Sequence, residues 1–557
     1  MKRLSTSDDS SSDFAEVEIE LSSVRNPINF THEKLSENET YANDQEINNS
    51  EDDGDNDNNN DQNDETPIEY YHSGKYAKFW AKIDDFLFDP RVPRSAQLFR
   101  KENICIVMCY VLVGLFEGIT RVVMNVYPLE LGATEAQQTT IKVLRSLPAS
   151  FKILFGFLSD AVPLFGYRRK IYMGISWAIC ASSMLILAAT PVPSVPFLSL
   201  MYLVFGFSMW FADVMADSLV AEKAKFEPEE ARGVLQSTCY ASRFFFLMFG
   251  ALSATFGYEF INVHWLFLFL GLAPFLIVAL PWYWLFEERY KPIADIKAQC
   301  NQIWQTVSNR SVFQPMGFVF LFNALQISNA AWTQYLYSTL HFSTAKINSI
   351  LVAAFVMIFA GVMAYKQFMR EWSWRNVYVL CISLNCVFSL CQIMLIKQWN
   401  KKFNIPNFAF ALGDESAVDF ISGVQFLPTT IMMVHLCPEG SEGVTYSMFT
   451  TMNNVAITVS VMLSTALLPI WDVSENKLEK NKLNGFFKLT ILTTCLQTAG
   501  IFFLPLLPKY RKDLNALRCD RSVIGGVIFL CIIIFALIWA IVSGVLNIVD
   551  PGWMGES

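Results

Sequence analysis

The chain has 557 residues, of which 53% are hydrophobic, 14% aromatic and 17% charged. Soluble domains are about 45–50% apolar and about 25% charged, so this composition excludes an ordinary soluble protein and predicts a membrane protein. The net charge of −9 says little about the apolar part, because acidic residues are concentrated in the first 66 residues.

The N-terminal segment, residues 1–75, is polar and acidic, with runs such as STSDDSSSD and EDDGDNDNNNDQNDE. Such segments bury too little apolar surface to fold, so we predict a disordered tail. The segment shows neither the apolar core of a signal peptide nor the Arg-rich composition of a transit peptide. We therefore expect the first membrane helix to direct insertion, with the plasma membrane as the location.

Thirteen apolar stretches follow the tail, and each is long enough to cross a bilayer core as a helix of roughly 20 residues. These predicted spans, numbered first to thirteenth below, lie at 103–125, 138–160, 169–190, 196–220, 233–257, 263–286, 313–336, 346–365, 376–396, 416–436, 444–469, 485–507 and 522–547.

The basic residues of the loops predict the orientation of these spans. Alternate loops contain the sequences GYRRK, EKAKFEPEEAR, RYKPIADIK, KQFMREWSWR and KYRKDLNALRCDR, whereas the remaining loops contain few cations. Because cytoplasmic loops are enriched in Lys and Arg, we predict a cytoplasmic N-terminus and an extracytosolic C-terminal end.

Two loops repeat along the chain. The sequence EARGVLQST after the fourth span corresponds to SEGVTYSMFT after the tenth, with Gly233 aligned to Gly443. Internal repeats of this kind indicate two related halves, as in major facilitator transporters. The predicted fold is an all-α polytopic membrane protein with the major facilitator arrangement of two six-helix halves, 76–286 and 313–507. A cytoplasmic linker, 287–312, joins them, and 508–557 holds a basic segment, the extra transmembrane helix and a short end.

Charged residues surround the predicted cytoplasmic turn between the second and third spans. Asp160 ends the second span, and Arg168 and Arg169 follow in the turn. We expect Asp160 to pair with either arginine and to bias gating, with Asp217 as a further gate contact. The alternative is that the cations only set topology.

Three motifs carry a family resemblance: KILFGFLSDAVPLFGYRRKIY, ADVMADSLVAEKAKFEPEEARGVLQS and FLPTTIMMVHLCPEGSEGVTY. Together they resemble the folate-biopterin transporter family over about 100–507, although Ala149 and Ile153 stand where the family often has Trp and Pro. The resemblance implies transport of folates or pterins, commonly coupled to protons, and some relatives carry S-adenosylmethionine.

Ionisable residues inside a membrane are costly and indicate function. Helix rise places Lys152, Asp213 and Arg243 roughly 12 to 16 Å from the inner surface, near the middle of the bilayer core. Glu117 and Arg145 lie a little higher, at roughly 21 and 22 Å. We predict that these residues bind substrate. The alternative is an interior ion pair, such as Asp213 with Arg243 or Lys152, that only stabilises the N-terminal half.

The C-terminal half is predicted to contribute neutral polar groups. Asn323, Gln425 and Asn453 suit hydrogen bonding to the edge of a heterocycle, although amide side chains also join helices in bilayers. We therefore expect the N-terminal half to bind charge and the C-terminal half to read the ring.

The sequence shows no motif of a metallohydrolase, a nucleophile elbow or a nucleotide-binding loop, so an enzyme is not expected. The expected function is secondary active transport of a folate or pterin, with protons and the lipid bilayer as further partners. No cofactor, metal ion or nucleic acid is expected. The alternatives are transport of S-adenosylmethionine or a related metabolite, and a non-transporting substrate sensor.

Overall fold

The computed structural model describes residues 92–549, with gaps at 229–232, 291–295, 439–440, 472, 474–476, 479, 511–512, 514–516 and 518–519. The predicted disordered tail, 1–75, and the predicted extracytosolic end beyond 549 lie outside the described residues.

Ten helices among the described residues are long and apolar enough to cross a membrane. They correspond to ten of the predicted spans and confirm an all-α polytopic membrane protein. Their bounds are Ile104–Glu130, Lys170–Ala189, Val195–Phe226, Val234–Tyr258, Val263–Trp284, Ser349–Met369, Trp374–Ile396, Asn407–His435, Glu442–Trp471 and Asn484–Leu506.

The second span is a broken helix. It consists of Glu135–Ser146, a short 3-10 turn at Leu147–Phe151 and a second α-helix, Lys152–Ala161. Pro148 lies at the start of the 3-10 turn, where its missing N–H costs nothing, so the break has a local cause. Lys152 therefore begins a helix instead of lying in the middle of one.

The seventh span is also interrupted. The helix Arg310–Ala324 ends in an irregular stretch, and the chain becomes helical again at Trp332–Gln334, followed by a π-helix at Tyr335–Thr339. Broken helices are typical of the substrate sites of membrane transporters, because the unwound backbone lies against a cavity.

The tenth span begins earlier than the predicted residue 416. The helix runs from Asn407 to His435, directly after Pro406. The sequence prediction lost this first part because Asp414 and Glu415 lower its apolar character. The two carboxyl groups therefore lie within the membrane helix.

A close glycine contact recurs in the two halves. A β-carbon at Gly206 of the fourth span would lie 2.2 Å from the carbonyl oxygen of Arg145 in the second span. A β-carbon at Gly423 of the tenth span would lie 2.3 Å from the carbonyl oxygen of Ile358 in the eighth. Only glycine permits either approach, so corresponding helices pack in the same way in both halves.

The halves contact each other chiefly where the second span packs on the eleventh and the fifth on the eighth, and the fourth span also packs on the eleventh. The thirteenth span, Val523–Val549, contacts both halves. It packs against Glu135–Ser146 and Leu147–Phe151 on one side and against Arg310–Ala324 and Glu442–Ala466 on the other.

Candidate functional site

A cavity of about 860 Å³ lies between the two halves. This volume is within the range of small-molecule sites, which are about 300–1,000 Å³. Three cations and one carboxylate line it from the N-terminal half, and amide side chains line it from the C-terminal half. These residues are Glu117, Arg121, Lys152 and Arg243 on the first side, and Asn323, Gln425, Asn453 and Asn454 on the second.

A buried ion cluster lies at the floor of the cavity. The Lys152 ammonium lies 2.6 Å from Oδ2 of Asp213, and Nη1 of Arg243 lies 3.0 Å from Oδ1 of the same carboxylate. Both cations also lie over the Trp210 ring, 4.7 Å and 5.7 Å from its centroid. The second, fourth and fifth spans thus bring the three predicted residues together. Asp213 is behind the cations and does not line the cavity.

Asp217, the predicted further gate contact, lies in this cluster. The Tyr110 hydroxyl donates a hydrogen bond to its Oδ1, and its Oδ2 lies 3.9 Å from the Lys152 ammonium. Asp217 is one helical turn from Asp213, so both carboxylates face Lys152. Two carboxyl groups therefore lie against two basic side chains in this cluster.

A second charged tier lies above this cluster. Glu117 forms two ion pairs: its Oε1 lies 2.9 Å from Nη1 of Arg145, and its Oε2 lies 2.9 Å from Nη2 of Arg121. Arg145 is buried behind the wall of the cavity, whereas the Arg121 side chain is 46% exposed. Arg121 also lies over the Phe355 ring of the opposite half, 5.6 Å from its centroid. This tier has one more cation than carboxylates.

The amides of the C-terminal half are only partly engaged. Asn323 donates to Oδ1 of Asn453 at 3.0 Å, and Asn454 donates to the carbonyl of Ala149 in the other half at 3.4 Å. Oε1 of Gln425 is buried and accepts no hydrogen bond from the described residues. A bound ligand N–H would satisfy this acceptor, and a buried acceptor without a partner is unfavourable.

The residues of the predicted gate form contacts that close one end of the molecule. Arg169 pairs with Asp160, and its Nη2 lies 3.3 Å from Glu222. The second oxygen of Asp160 accepts a 2.7 Å hydrogen bond from the backbone N–H of Val444 in the other half. Asp160 therefore both ties the turn together and joins the halves.

Arg168 does not pair with Asp160. Its guanidinium stacks on the Tyr290 ring, 4.1 Å from the centroid, and partial burial raises the pKa of the Tyr290 hydroxyl. The backbone N–H groups of Arg168, Arg169 and Lys170 donate to the Glu287 carboxylate at 2.8–2.9 Å. Arg168 thus connects the turn to the linker after the sixth span.

Two more contacts close the same end of the molecule. Lys225 of the N-terminal half pairs with Glu442 of the C-terminal half. A β-carbon at Gly156 would lie 2.4 Å from the carbonyl oxygen of Gly443, so the second and eleventh spans touch backbone to backbone. Because this end is sealed, the cavity opens toward the opposite end, where Arg121 lies.

Sequence reasoning missed several residues of the site. Arg121 is inside the predicted first span, four residues after Glu117, and this helical spacing was a usable signal. Tyr110 and Trp210 gave none, since aromatic residues are frequent throughout the spans. Phe535 and Trp539 of the thirteenth span also line the cavity, and their rings are stacked 6.4 Å apart.

The chain is a polytopic helical membrane protein with a charged cavity between two sets of spans. This architecture is typical of membrane proteins that bind solutes within the bilayer. The BT1 family profile matches residues 114–521. The chain belongs to this family, the folate-biopterin transporters.

Curated relatives agree with this assignment. The chain is 26% identical over 412 residues to a protein from Synechocystis named folate-biopterin transporter, covering 73% of this chain and 82% of the relative. It is 24% identical over 372 residues to folate transporter 1 of Plasmodium falciparum, covering 66% and 72%. It is 22% identical over 434 residues to probable folate-biopterin transporter 2 of Arabidopsis thaliana, covering 74% and 83%.

Proposed function

We propose that this chain is a secondary active transporter that moves a folate or pterin across a membrane by alternating access, coupled to protons. The observation that carries the proposal is the cavity wall, where three cations and one carboxylate face the amides of the other half. The names of the relatives support the same substrate class.

The cations suit the carboxylates of a folate. Arg121 is the most accessible of them, and Arg243 presents a planar guanidinium at the floor of the cavity. Arginine binds carboxylates bidentately, which gives both strength and orientation. A substrate carboxylate would draw the Arg243 guanidinium away from Asp213. The Lys152 ammonium would then remain as the counter-charge of Asp213.

The opposite wall suits a flat heterocycle. The free acceptor of Gln425 can receive an N–H of a pterin ring, and the Asn323–Asn453 pair can supply both a donor and an acceptor. Aromatic residues around these amides provide stacking surfaces for the ring. The N-terminal half would bind the charged part of the substrate, and the C-terminal half the ring.

The contacts at the closed end support alternating access. Gly156 against Gly443, Asp160 against Val444 and Lys225 against Glu442 are single contacts that separate when one half tilts against the other. Rocking of two helix bundles around a midplane site is the general mechanism of transporters with internal repeats. The two bundles in this proposal are 76–286 and 313–507, joined by the linker 287–312, and the plasma membrane is the proposed location.

Transport of S-adenosylmethionine is the second candidate. Its cationic sulfonium would need a free carboxylate, but Asp213 and Asp217 are already engaged by Lys152, Arg243 and Tyr110. The anionic substrate therefore fits better.

The test is uptake of labelled folate, biopterin and S-adenosylmethionine by cells that express the protein, at two external pH values. The expected result is uptake of folate or biopterin that rises in acid. Binding of folate by the purified protein without any flux would identify a sensor and refute transport. Uptake of S-adenosylmethionine alone would select the second candidate.

A further inference from the structure

The membrane carboxylates of the two halves differ in their partners. In the N-terminal half, Glu117, Asp160 and Asp213 each have an arginine or lysine within 3.0 Å. In the tenth span, Asp414, Glu415 and Asp419 have no Lys, Arg or His within 4.0 Å among the residues that the structure describes. Three acidic groups in two helical turns are therefore left without counter-charges.

Asp414 is the most buried of the three. Its side chain is 4% exposed, and neither oxygen accepts a hydrogen bond of normal length from the described residues. Its polar neighbours on the ninth span are the amide of Gln392 and the thiol of Cys391. An ionised carboxylate is costly in such a place, whereas a protonated carboxyl group carries no charge.

Glu415 and Asp419 form an acidic pair on an adjacent face of the helix. They are four residues apart, so their side chains are neighbours. Glu415 also lies beside the Trp332 indole, where the seventh span resumes after its break. Both side chains are partly exposed.

Two of these carboxylates lie on a helix face that continues into the cavity. Glu415, Asp419, Ser422 and Phe426 follow one another at helical spacing, and the last two line the cavity. Asp419 is about 10 Å along the helix axis from Phe426. A proton on this face is thus within one or two helical turns of a residue that lines the cavity.

The surrounding cations do not neutralise the group. The ammonium of Lys346 in the eighth span lies over the Phe342 and Phe408 rings, 5.7 Å and 5.8 Å from their centroids. Phe408 is about 9 Å along the helix from Asp414, so Lys346 lies toward the open end. Its ammonium forms no ion pair within 4.0 Å with any of the three carboxylates.

We propose that Asp414, Glu415 and Asp419 of the tenth span form the site that carries the coupling proton, separate from the substrate-binding ion cluster of the N-terminal half. This inference rests on the proposed function, because a coupling proton has meaning only for a transporter. In the outward-open arrangement the site takes up a proton from the outer solution. When the halves rock, the same site releases it on the other side.

The test uses the full-length protein in liposomes and separates coupling from substrate movement. Counterflow exchange of labelled folate needs no proton gradient. Net accumulation is measured with an inward gradient of one pH unit, while potassium and valinomycin hold the membrane potential at zero. If one proton enters with each substrate molecule, this gradient supports about a tenfold accumulation of substrate.

The informative variant neutralises all three groups, Asp414→Asn with Glu415→Gln and Asp419→Asn. It is expected to keep counterflow within about twofold of the wild type and to lose accumulation, with a ratio near one. Asp414→Asn alone serves as the second variant and is expected to lose accumulation as well. Glu371→Gln, an exposed carboxylate in the loop before the ninth span, is the matched control and should keep both activities.

Each outcome decides between the claims. If the wild type shows neither counterflow nor accumulation, the proposed function fails. If the wild type shows counterflow but accumulates substrate only under a sodium gradient, or if either variant keeps the tenfold accumulation, the proton site is overturned. Retained counterflow in a variant also shows that it is folded.

Discussion

Replacement of Arg243 tests the substrate site most specifically. Arg243→Ala removes a guanidinium that lines the cavity and lies 3.0 Å from Asp213. Asp213 keeps Lys152 at 2.6 Å, so the buried carboxylate is not left without a counter-charge. The change therefore removes mainly a cation that is available to substrate.

The expected size follows from the strength of a charge-assisted hydrogen bond. Such a bond contributes about 1.5–3 kcal/mol, so the KM for folate should rise about 10- to 150-fold. Arg243→Lys keeps the charge but loses the bidentate geometry, and its KM should fall between those of the wild type and Arg243→Ala.

The assay is initial-rate counterflow of labelled folate in liposomes at equal protein content. Arg310→Ala is the matched control, because Arg310 forms an exposed pair with Asp520 that is also 3.0 Å long. Its KM should not change. An unchanged KM in both Arg243 variants would refute the assignment of this residue to the substrate site.

Three further changes test other parts of the account. Gly156→Leu places a side chain against the Gly443 carbonyl, and such overpacking costs about 1–3 kcal/mol. The variant should have a lower melting temperature and no net uptake. Unchanged uptake would contradict the backbone contact. Lys225→Glu and Glu442→Lys should each slow transport, and the double variant should recover it, as measured by initial uptake rates; no recovery would argue against the pair. Trp539→Ala should raise the KM for biopterin about 2- to 12-fold through lost stacking, and an equal KM in both proteins would exclude the ring from the site.

Hydropathy predicted the membrane part of the fold well. Each of the ten long helices matches a predicted span, because a helix that crosses lipid must be both long and apolar. The breaks in the second and seventh spans were not predictable in this way, since apolar composition continues across Leu147–Phe151 and most of the seventh span.

Helix-rise arithmetic predicted the depth of the charged residues but not their pairing. It placed Lys152, Asp213 and Arg243 at a similar level, and the structure joins all three, while their role in binding stays a prediction. The choice of Arg169 over Arg168 for Asp160 depends on the direction of each side chain after the turn, which spacing alone does not contain.

Asp414 and Glu415 of the tenth span were missed for a related reason, whereas Asp419 lies inside the predicted span. A hydropathy window that begins at 416 excludes the segment that contains Asp414, because acidic residues lower the score that defines a span. Acidic residues inside a membrane helix can therefore make the predicted start of that helix too late. Pro406, which precedes the helix directly, was the available signal for its true start.

The central claim is that this cavity carries a folate or pterin across a membrane. The most direct measurement is counterflow of labelled folate and biopterin into liposomes that contain the purified protein and the unlabelled compound. The account predicts rapid, saturable entry of at least one of the two, with S-adenosylmethionine failing to compete. Entry no faster than in protein-free liposomes, from protein shown to be folded and inserted, would contradict it.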